Sequence, residues 1–397
     1  MVRQAHHKLL VPTKHQQSQW LALSLPKCGQ GGTRTPKALR PIVFETIAYT
    51  IPPLAPIITS RSKIFLALKL RLHYYILSSM TIQEIYDFAI EMGIAADPRG
   101  MAIVKKQLAK AKKAYDELPE KKKKFFDTET FTNPYSDSRI YFGDSKIEVK
   151  KILAGIDAEA SEILLADRLI EKGTKIDLVI GHHPEGHGLA ALHDVMDLQV
   201  DVYAAAGIPM NVAHALMTER MSEIELRIHP SNHTQVIDTA RLLNIPFMSL
   251  HTIWDNMGDN FMRNYLKAKE FDTLGEILEH LQELPEYIEA MKGKAGPLIV
   301  SGNPKSRPGR IVTFFTGGTN PSKEMYVEMA KAGIGTVIDM HMPDDVVKEM
   351  RKLHINVINT GHMSSDSIGA NLFFDALSEK GVEVIACSGF IRVKRKG

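Results

Sequence analysis

The chain has 397 residues, 44% of them hydrophobic, so it is long enough to bury a substantial core in one large α/β unit or in two domains. Its two cysteines exclude a disulfide framework and favour a reducing, cytoplasmic location. The formal charge of +3 is uneven, because residues 1–79 hold eleven Lys and Arg against one acid and the rest holds 38 basic and 45 acidic residues. This mildly acidic body argues against a general nucleic-acid-binding surface.

Residues 1–79 show neither helical nor strand periodicity, and no uninterrupted apolar run in the chain is long enough for a membrane-spanning helix. We interpret this segment as a non-native or disordered extension and expect Met80 to be the native start. The alternative is a disordered basic arm that binds nucleic acid or a partner. From Thr81, a plausible N-cap, an amphipathic helix is predicted over residues 81–92. Residues 80–146 as a whole read as a charged helical segment.

From residue 147 to residue 397 strand-like runs alternate with helical patterns. Strands are predicted at residues 149–155, 176–181, 246–250, 311–316, 335–339, 355–359 and 382–387, with a short apolar piece at 210–213. Helices are predicted at about residues 158–172, 234–243, 260–292, 322–332 and 366–380. The alternation predicts a three-layer α/β/α fold with a mostly parallel sheet, preceded by the helical extension.

Histidines follow several of these apolar runs directly. They are His182, His183, His214, His251, His341 and His362. Ligands of open parallel sheets bind at the carboxyl ends of the strands, so histidines delivered to that edge indicate a metal cluster.

The local spacing supports a metal site. Pro184 ends the strand that carries His182 and His183, which lets their adjacent side chains splay toward neighbouring ions. His251 and His362 are each followed four residues later by an aspartate, and residues four apart share one face of a helical turn. Mixed imidazole and carboxylate ligation suits Zn, Mn, Fe or Co without choosing among them.

Three motifs, in this order, resemble the GTP cyclohydrolase 1 type 2 homologues, also named the NIF-three-like family. They are Asp-Leu-Val-Ile-Gly-His-His-Pro at 177–184, His-Thr-Ile-Trp-Asp at 251–255, and Gly361-His362 with a carboxylate four residues on. The resemblance spans about residues 147–397. It implies an α/β fold of two similar halves that holds two divalent metal ions, and a homo-oligomer such as a ring-shaped hexamer.

Carried over by position, the resemblance implies a ligand set and a site-lining residue. The ligands would be His182, His183, Asp255, His362 and Asp366. His251 would line the site. The chain departs from the family in having Asp366 where Glu is usual, in a longer helical start, and in Asp339-Met-His341 where a Gly-acid pair is common. His341 is therefore a candidate additional ligand or proton carrier.

Paired divalent ions activate water and stabilise developing negative charge, which favours a metal-dependent hydrolase acting on a small phosphorylated or nucleotide-like molecule. His251 and His341 are the candidate catalytic proton carriers. Gly317, Gly318 and Thr319 lie between a strand and a helix, where they either cradle a phosphate or form a plain tight turn. The rival interpretation is a non-catalytic metal-binding scaffold or regulatory interaction protein. A membrane partner is not expected.

Overall fold

The computed structural model describes residues 79–395. The predictions made for residues 1–78, an extension or a basic arm, lie outside the described residues. Within the described part, no helix is both long enough and apolar enough to cross a membrane.

Strands and helices alternate along most of the chain. The strands are β1 Met80–Thr81, β2 Ser138–Phe142, β3 Glu148–Val149, β4 Lys151–Gly155, β5 Leu178–Gly181, β6 Phe247–Leu250, β7 Leu298–Ser301, β8 Arg310–Phe314, β9 Ile334–Asp339, β10 Asn356–Asn359 and β11 Glu383–Cys387. The helices are α1 Ile82–Ala96, α2 Met101–Asp116, α3 Glu120–Lys123, α4 Ala160–Glu171, α5 Gly186–Ala190, α6 Leu192–Val195, α7 Leu198–Ala205, α8 Met210–Ile228, α9 Gln235–Leu243, α10 His251–Lys267, α11 Leu274–Leu281, α12 Pro285–Lys292, α13 Lys323–Lys331, α14 Asp344–Lys352 and α15 His362–Ser378. A short 3-10 turn covers Thr128–Phe131.

The start of α1 follows from its first residues. Glu84 donates its backbone N–H to the Thr81 hydroxyl (3.2 Å), and its carboxylate accepts from the Thr81 N–H (2.7 Å). This reciprocal capping box confirms the predicted N-cap. The helix runs to Ala96, four residues beyond the predicted end, because its apolar face continues against the core.

Two mostly parallel sheets form the framework. The first has the order β11-β4-β5-β6-β2, with β2 antiparallel to β6 at one edge. The second has the order β7-β10-β9-β8, with β7 antiparallel to β10 at one edge. Strands β4 and β5 are almost wholly buried, which is why short continuous apolar runs predicted them. The predicted α/β class with mostly parallel sheet is confirmed.

Helices α10 and α15 contact both sheets. The N-terminal parts of α10, with Ile253 and Trp254, pack in the core of the first sheet, and Met262 packs in a core shared with the second. Helices α10 and α15 cross closely because Gly369 lies against the carbonyl of Trp254, where an added Cβ would stand only 2.0 Å from its oxygen. Both helices begin where strands end, which places their first turns at the site.

Several predicted elements were wrong. The short apolar piece at residues 210–213, whose end we predicted to deliver His214 to the sheet edge, forms the first turn of α8, whose buried residues Ala213, Met217 and Ile224 follow a helical period. His214 is consequently an exposed helix residue and not a strand-end ligand. The region 260–292 contains parts of three helices, α10 to α12. The sequence pattern did not predict strands β2 and β7, or the helices over residues 186–205 and 344–352.

Candidate metal centre

Three segments deliver the predicted ligands to one place. His182 and His183 follow β5 directly. His251 is the first residue of α10, so Asp255 lies one turn along the same face. His362 is the first residue of α15, and Asp366 again follows one turn later. Both helices start earlier than predicted, and this earlier start is what brings each histidine and its aspartate onto a common helical face.

Asp366 lies at the centre of the cluster. Its Oδ1 is 3.7 Å from His182 Nε2, and His182 Nε2 is also 3.2 Å from Asp255 Oδ1. Its Oδ2 is 3.3 Å from His362 Nε2 and 3.7 Å from His183 Nε2. The two carboxylate oxygens therefore face two different sets of donors.

Three groups of side chains have donor atoms close enough to hold a metal ion, all within 4.8 Å of one another in each group. The groups are His182–His183–His251, His183–His362–Asp366 and His182–Asp255–Asp366. All five predicted ligands are included, and His251 joins them. The donor set, imidazole and carboxylate without thiolate, fits Zn, Mn, Fe or Co.

The carboxylates are buried with little compensation. Asp366 is 3% exposed, and neither of its side-chain oxygens has a hydrogen-bond partner among the described residues. Burial, followed by the nearby Asp255 carboxylate, raises the pKa of Asp366 well above its usual value. Burial likewise raises the pKa of Asp255 to about 7, although the His251 imidazolium opposes this. Buried carboxylates without partners are costly, and cations at this position would offset that cost.

Three imidazoles are held neutral. Burial, then His251, lowers the pKa of His182 well below its usual value. Burial and the neighbouring imidazoles lower the pKa to about 4 for His183 and about 2 for His362. Their Nε2 atoms approach to 3.3 Å, a contact that two protonated rings would not tolerate. Neutral imidazole is the form that ligates metal ions.

Acceptors behind the rings orient them. Asp157 Oδ1 accepts from His183 Nδ1 (2.6 Å), and the Leu250 carbonyl accepts from His182 Nδ1 (3.3 Å). Donation from Nδ1 leaves each Nε2 lone pair directed into the cluster, as is usual for metal-ligating histidines. The sequence prediction missed Asp157, although it comes two residues after β4 and so carries the same strand-end signal.

His251 has a different electrostatic environment. Its Nδ1 donates to Asp137 Oδ2 (2.8 Å), which also accepts from the Thr252 hydroxyl (2.7 Å). Burial by itself lowers the pKa of His251, but the Asp255 and Asp137 carboxylates outweigh it and raise the pKa to about 9. Asp137 was also missed, because it precedes β2, an edge strand that the pattern did not reveal.

Of the remaining predicted residues, His341, Gly318 and Thr319 line a cleft of about 440 Å³, counting space open to solvent, where strands of both sheets end. The His341 ring stacks edge-on against His362 with centroids 4.2 Å apart, and its backbone N–H donates to Asp339 (2.9 Å). Gly318 and Thr319 lie on the cleft wall. Gly317 packs on Gln199 instead; α13 begins at Lys323, one residue after its predicted start, and phosphate binding by this loop stays a prediction.

One solved structure with a similar fold is a NIF3 superfamily protein from Sphaerobacter thermophilus. It is 25% identical, with a TM-score of 0.58, over 73% of this chain and 98% of its own. Reduced HcgD from Methanocaldococcus jannaschii is less similar, at 16% identity and a TM-score of 0.40, and the match covers 62% of this chain and 87% of the other. A Bacillus cereus protein related to NIF3 is 12% identical, with a TM-score of 0.34, over 65% of this chain and 92% of its own.

No family model matches the chain, and neither does any curated protein. The Sphaerobacter thermophilus structure supports the resemblance to NIF-three-like proteins that the motifs indicated. The chain also carries buried His and Asp groups that are suited to hold a metal ion.

Proposed function

We propose that this chain is a GTP cyclohydrolase 1 type 2 homologue of the NIF-three-like family, and that it binds two divalent metal ions and hydrolyses a small phosphorylated or nucleotide-like molecule. The ligands in this proposal are His182, His183, Asp255, His362 and Asp366. The family name carries no assumption that GTP is the substrate. A cytoplasmic location and a homo-oligomeric, hexamer-like assembly stay predictions.

The position of Asp366 carries the proposal. Its two oxygens face separate donor sets, His182 with Asp255 on one side and His183 with His362 on the other. Because neither oxygen has a hydrogen-bond partner among the described residues, both are free to act as ligands. A carboxylate shared in this way is suited to two neighbouring ions, whereas a single site would use only one set.

When bound, paired divalent ions lower the pKa of water and stabilise negative charge on a phosphoryl or carbonyl oxygen. The chain's own groups would position the substrate and transfer protons to or from it. His251 holds a proton on Nδ1 against Asp137 and presents Nε2 4.0 Å from Asp255. His341 is exposed at the cleft and contacts His362, where it is placed to exchange protons with solvent.

The test combines metal analysis with turnover. The purified full chain is expected to contain about two ions per chain and to hydrolyse at least one member of a panel of phosphoesters and nucleotides. His182→Ala should remove both properties. His214→Ala, which changes an exposed histidine on α8, is the matched control and should remove neither. Metal without turnover would favour the scaffold interpretation, and equal metal content in His182→Ala would refute the ligand set.

A further inference from the structure

We infer that Gln199, Tyr203 and Asp339 form a second recognition subsite in the same cleft, which binds an amino-substituted heterocycle of the substrate. All three residues line the cleft together with the metal-centre residues. The inference deepens the proposed function and rests on it only in assuming that the phosphorylated end of the substrate lies at the His/Asp cluster.

Gln199, on α7, presents a fixed and unused acceptor. Its Nε2 donates to the carbonyl of Thr319 (2.7 Å) and approaches that of Thr316 (3.5 Å). With both amide hydrogens directed at carbonyls, Oε1 must be the free atom, and it has no partner among the described residues. The side chain is only 4% exposed. A buried acceptor left in this state is costly unless a ligand supplies a donor.

The loop after β8 holds this amide in place. Gly317 has a φ of +100°, and a Cβ there would stand 2.3 Å from Gln199 Cγ. Only glycine allows the backbone to lie so close to the side chain. The Gly317–Thr319 segment therefore holds the Gln199 side chain in place. This packing accounts for a glycine at position 317, and no bound phosphate is needed to explain it.

Tyr203 and Asp339 add further oxygen atoms. The Tyr203 hydroxyl is buried without a partner among residues 79–395, on a ring that packs edge-on against Phe314 at 5.2 Å. Asp339, at the end of β9, is 2% exposed and accepts the His341 N–H (2.9 Å) at Oδ1. The wall thus offers two acceptors and one hydroxyl, held by rigid elements.

The charge of this wall selects the ligand group. The described lining residues include no lysine or arginine. Arg220, outside the lining, donates to the backbone carbonyl of Asn320 and is paired with the Glu223 carboxylate (2.9 Å). A phosphate would meet the Asp339 carboxylate without a compensating cation. Neighbouring N–H donors, such as the exocyclic amino group of a heterocycle, instead complement the free acceptors.

The subsite and the metal centre are connected through one residue. The backbone of His341 contacts Asp339 while its ring contacts His362. The residues of both ends line one solvent-open cleft, so a single ligand is able to contact both of them.

The test measures dissociation constants by calorimetry for two pairs of nucleoside 5′-monophosphates that differ by one amino group. The pairs are purine riboside with adenosine, and inosine with guanosine. In at least one pair, the amino-bearing member is expected to bind at least tenfold more tightly to the metal-loaded full chain. Tyr203→Phe and Asp339→Asn should bring that ratio close to one.

Tyr326→Phe is the matched control. The Tyr326 hydroxyl is equally buried and unpartnered within the described residues, but the side chain does not line the cleft. It should leave the ratio unchanged. Because neither hydroxyl has a partner to lose, both Phe variants are expected to keep the wild-type melting temperature, which separates binding effects from misfolding.

Equal affinities within both pairs, or a ratio that survives Tyr203→Phe and Asp339→Asn, would overturn the subsite. So would a ratio lost equally in Tyr326→Phe. Hydrolysis of bis(4-nitrophenyl) phosphate with equal nucleotide affinities would overturn the subsite and leave the proposed function standing. A clear amino-group preference without turnover of any phosphoester would support the subsite and count against the hydrolase.

Discussion

Replacing Asp366 with asparagine should change stability in opposite directions with and without metal. In the metal-free protein this carboxyl is 3% exposed and neither oxygen has a hydrogen-bond partner within the described residues. Burial raises its pKa well above the usual value, so its charged form disfavours folding. Asparagine has nearly the same shape and no charge. Metal-free Asp366→Asn should therefore be as stable as the wild type, or more stable by about 1–3 kcal/mol.

Added metal should make the wild type more stable than Asp366→Asn. A ligand at a hundred times its dissociation constant stabilises the folded state by about 2.7 kcal/mol. At roughly 2–4 °C per kcal/mol for a domain of this size, the wild type should gain about 5–10 °C. Asp366→Asn loses one ligand oxygen and its charge, so it should gain much less.

Differential scanning calorimetry at pH 7.5, after chelation and again with Mn²⁺ or Zn²⁺, measures both effects. Asp259→Asn is the contrasting control. Asp259 is buried too, but it is paired with Arg263 (2.7 Å) and accepts from Thr313 (3.1 Å). Its loss should destabilise both forms alike. If Asp366→Asn lowered the metal-free melting temperature as much as Asp259→Asn, or if metal stabilised Asp366→Asn as much as the wild type, the reasoning would be refuted.

Three further outcomes are expected. The pKa of Asp255 is about 7, so at lower pH a metal ion must displace the proton of this carboxyl. Metal affinity measured by calorimetry should therefore rise from pH 6 to pH 8, and Asp255→Asn should flatten that rise. Asp157→Ala removes the acceptor behind the His183 imidazole, so metal affinity should fall about 10–100-fold while the metal-free melting temperature stays unchanged. An unaltered affinity would deny the residue an orienting role. Gly369→Ala places a Cβ 2.0 Å from the Trp254 oxygen and should lower the free energy of unfolding, measured by chemical denaturation, by about 1–3 kcal/mol. Gly258→Ala, whose Cβ would lie 3.6 Å from its nearest atom, should lower it clearly less. Equal costs would contradict the close helix crossing.

The sequence predicted the parallel strands well because they are buried on both faces. Runs such as 178–181 are continuously apolar and end abruptly, which marks both the strand and its carboxyl end. The topology then brings the residues after those ends together, so the order of strands and histidines was enough to assemble His182, His183 and His362. The helical spacing added Asp255 and Asp366.

Other features depend on tertiary contacts that a local pattern does not contain. Strand β2, with the sequence Ser-Arg-Ile-Tyr-Phe, buries Arg139 in ion pairs with Asp127 and Glu129, so its composition does not read as an edge of a core sheet. Asp137 was missed with it. The need for glycine at position 317 follows from its packing against Gln199, which lies over a hundred residues earlier in the chain.

Anomalous X-ray diffraction from crystals of the metal-loaded full chain tests the central claim most directly. We predict two anomalous peaks per chain, one between His182, Asp255 and Asp366 Oδ1 and one between His183, His362 and Asp366 Oδ2, and neither peak in crystals of His362→Ala with Asp366→Asn. A single peak elsewhere, no peak, or peaks that persist in the double variant would contradict the proposed metal centre.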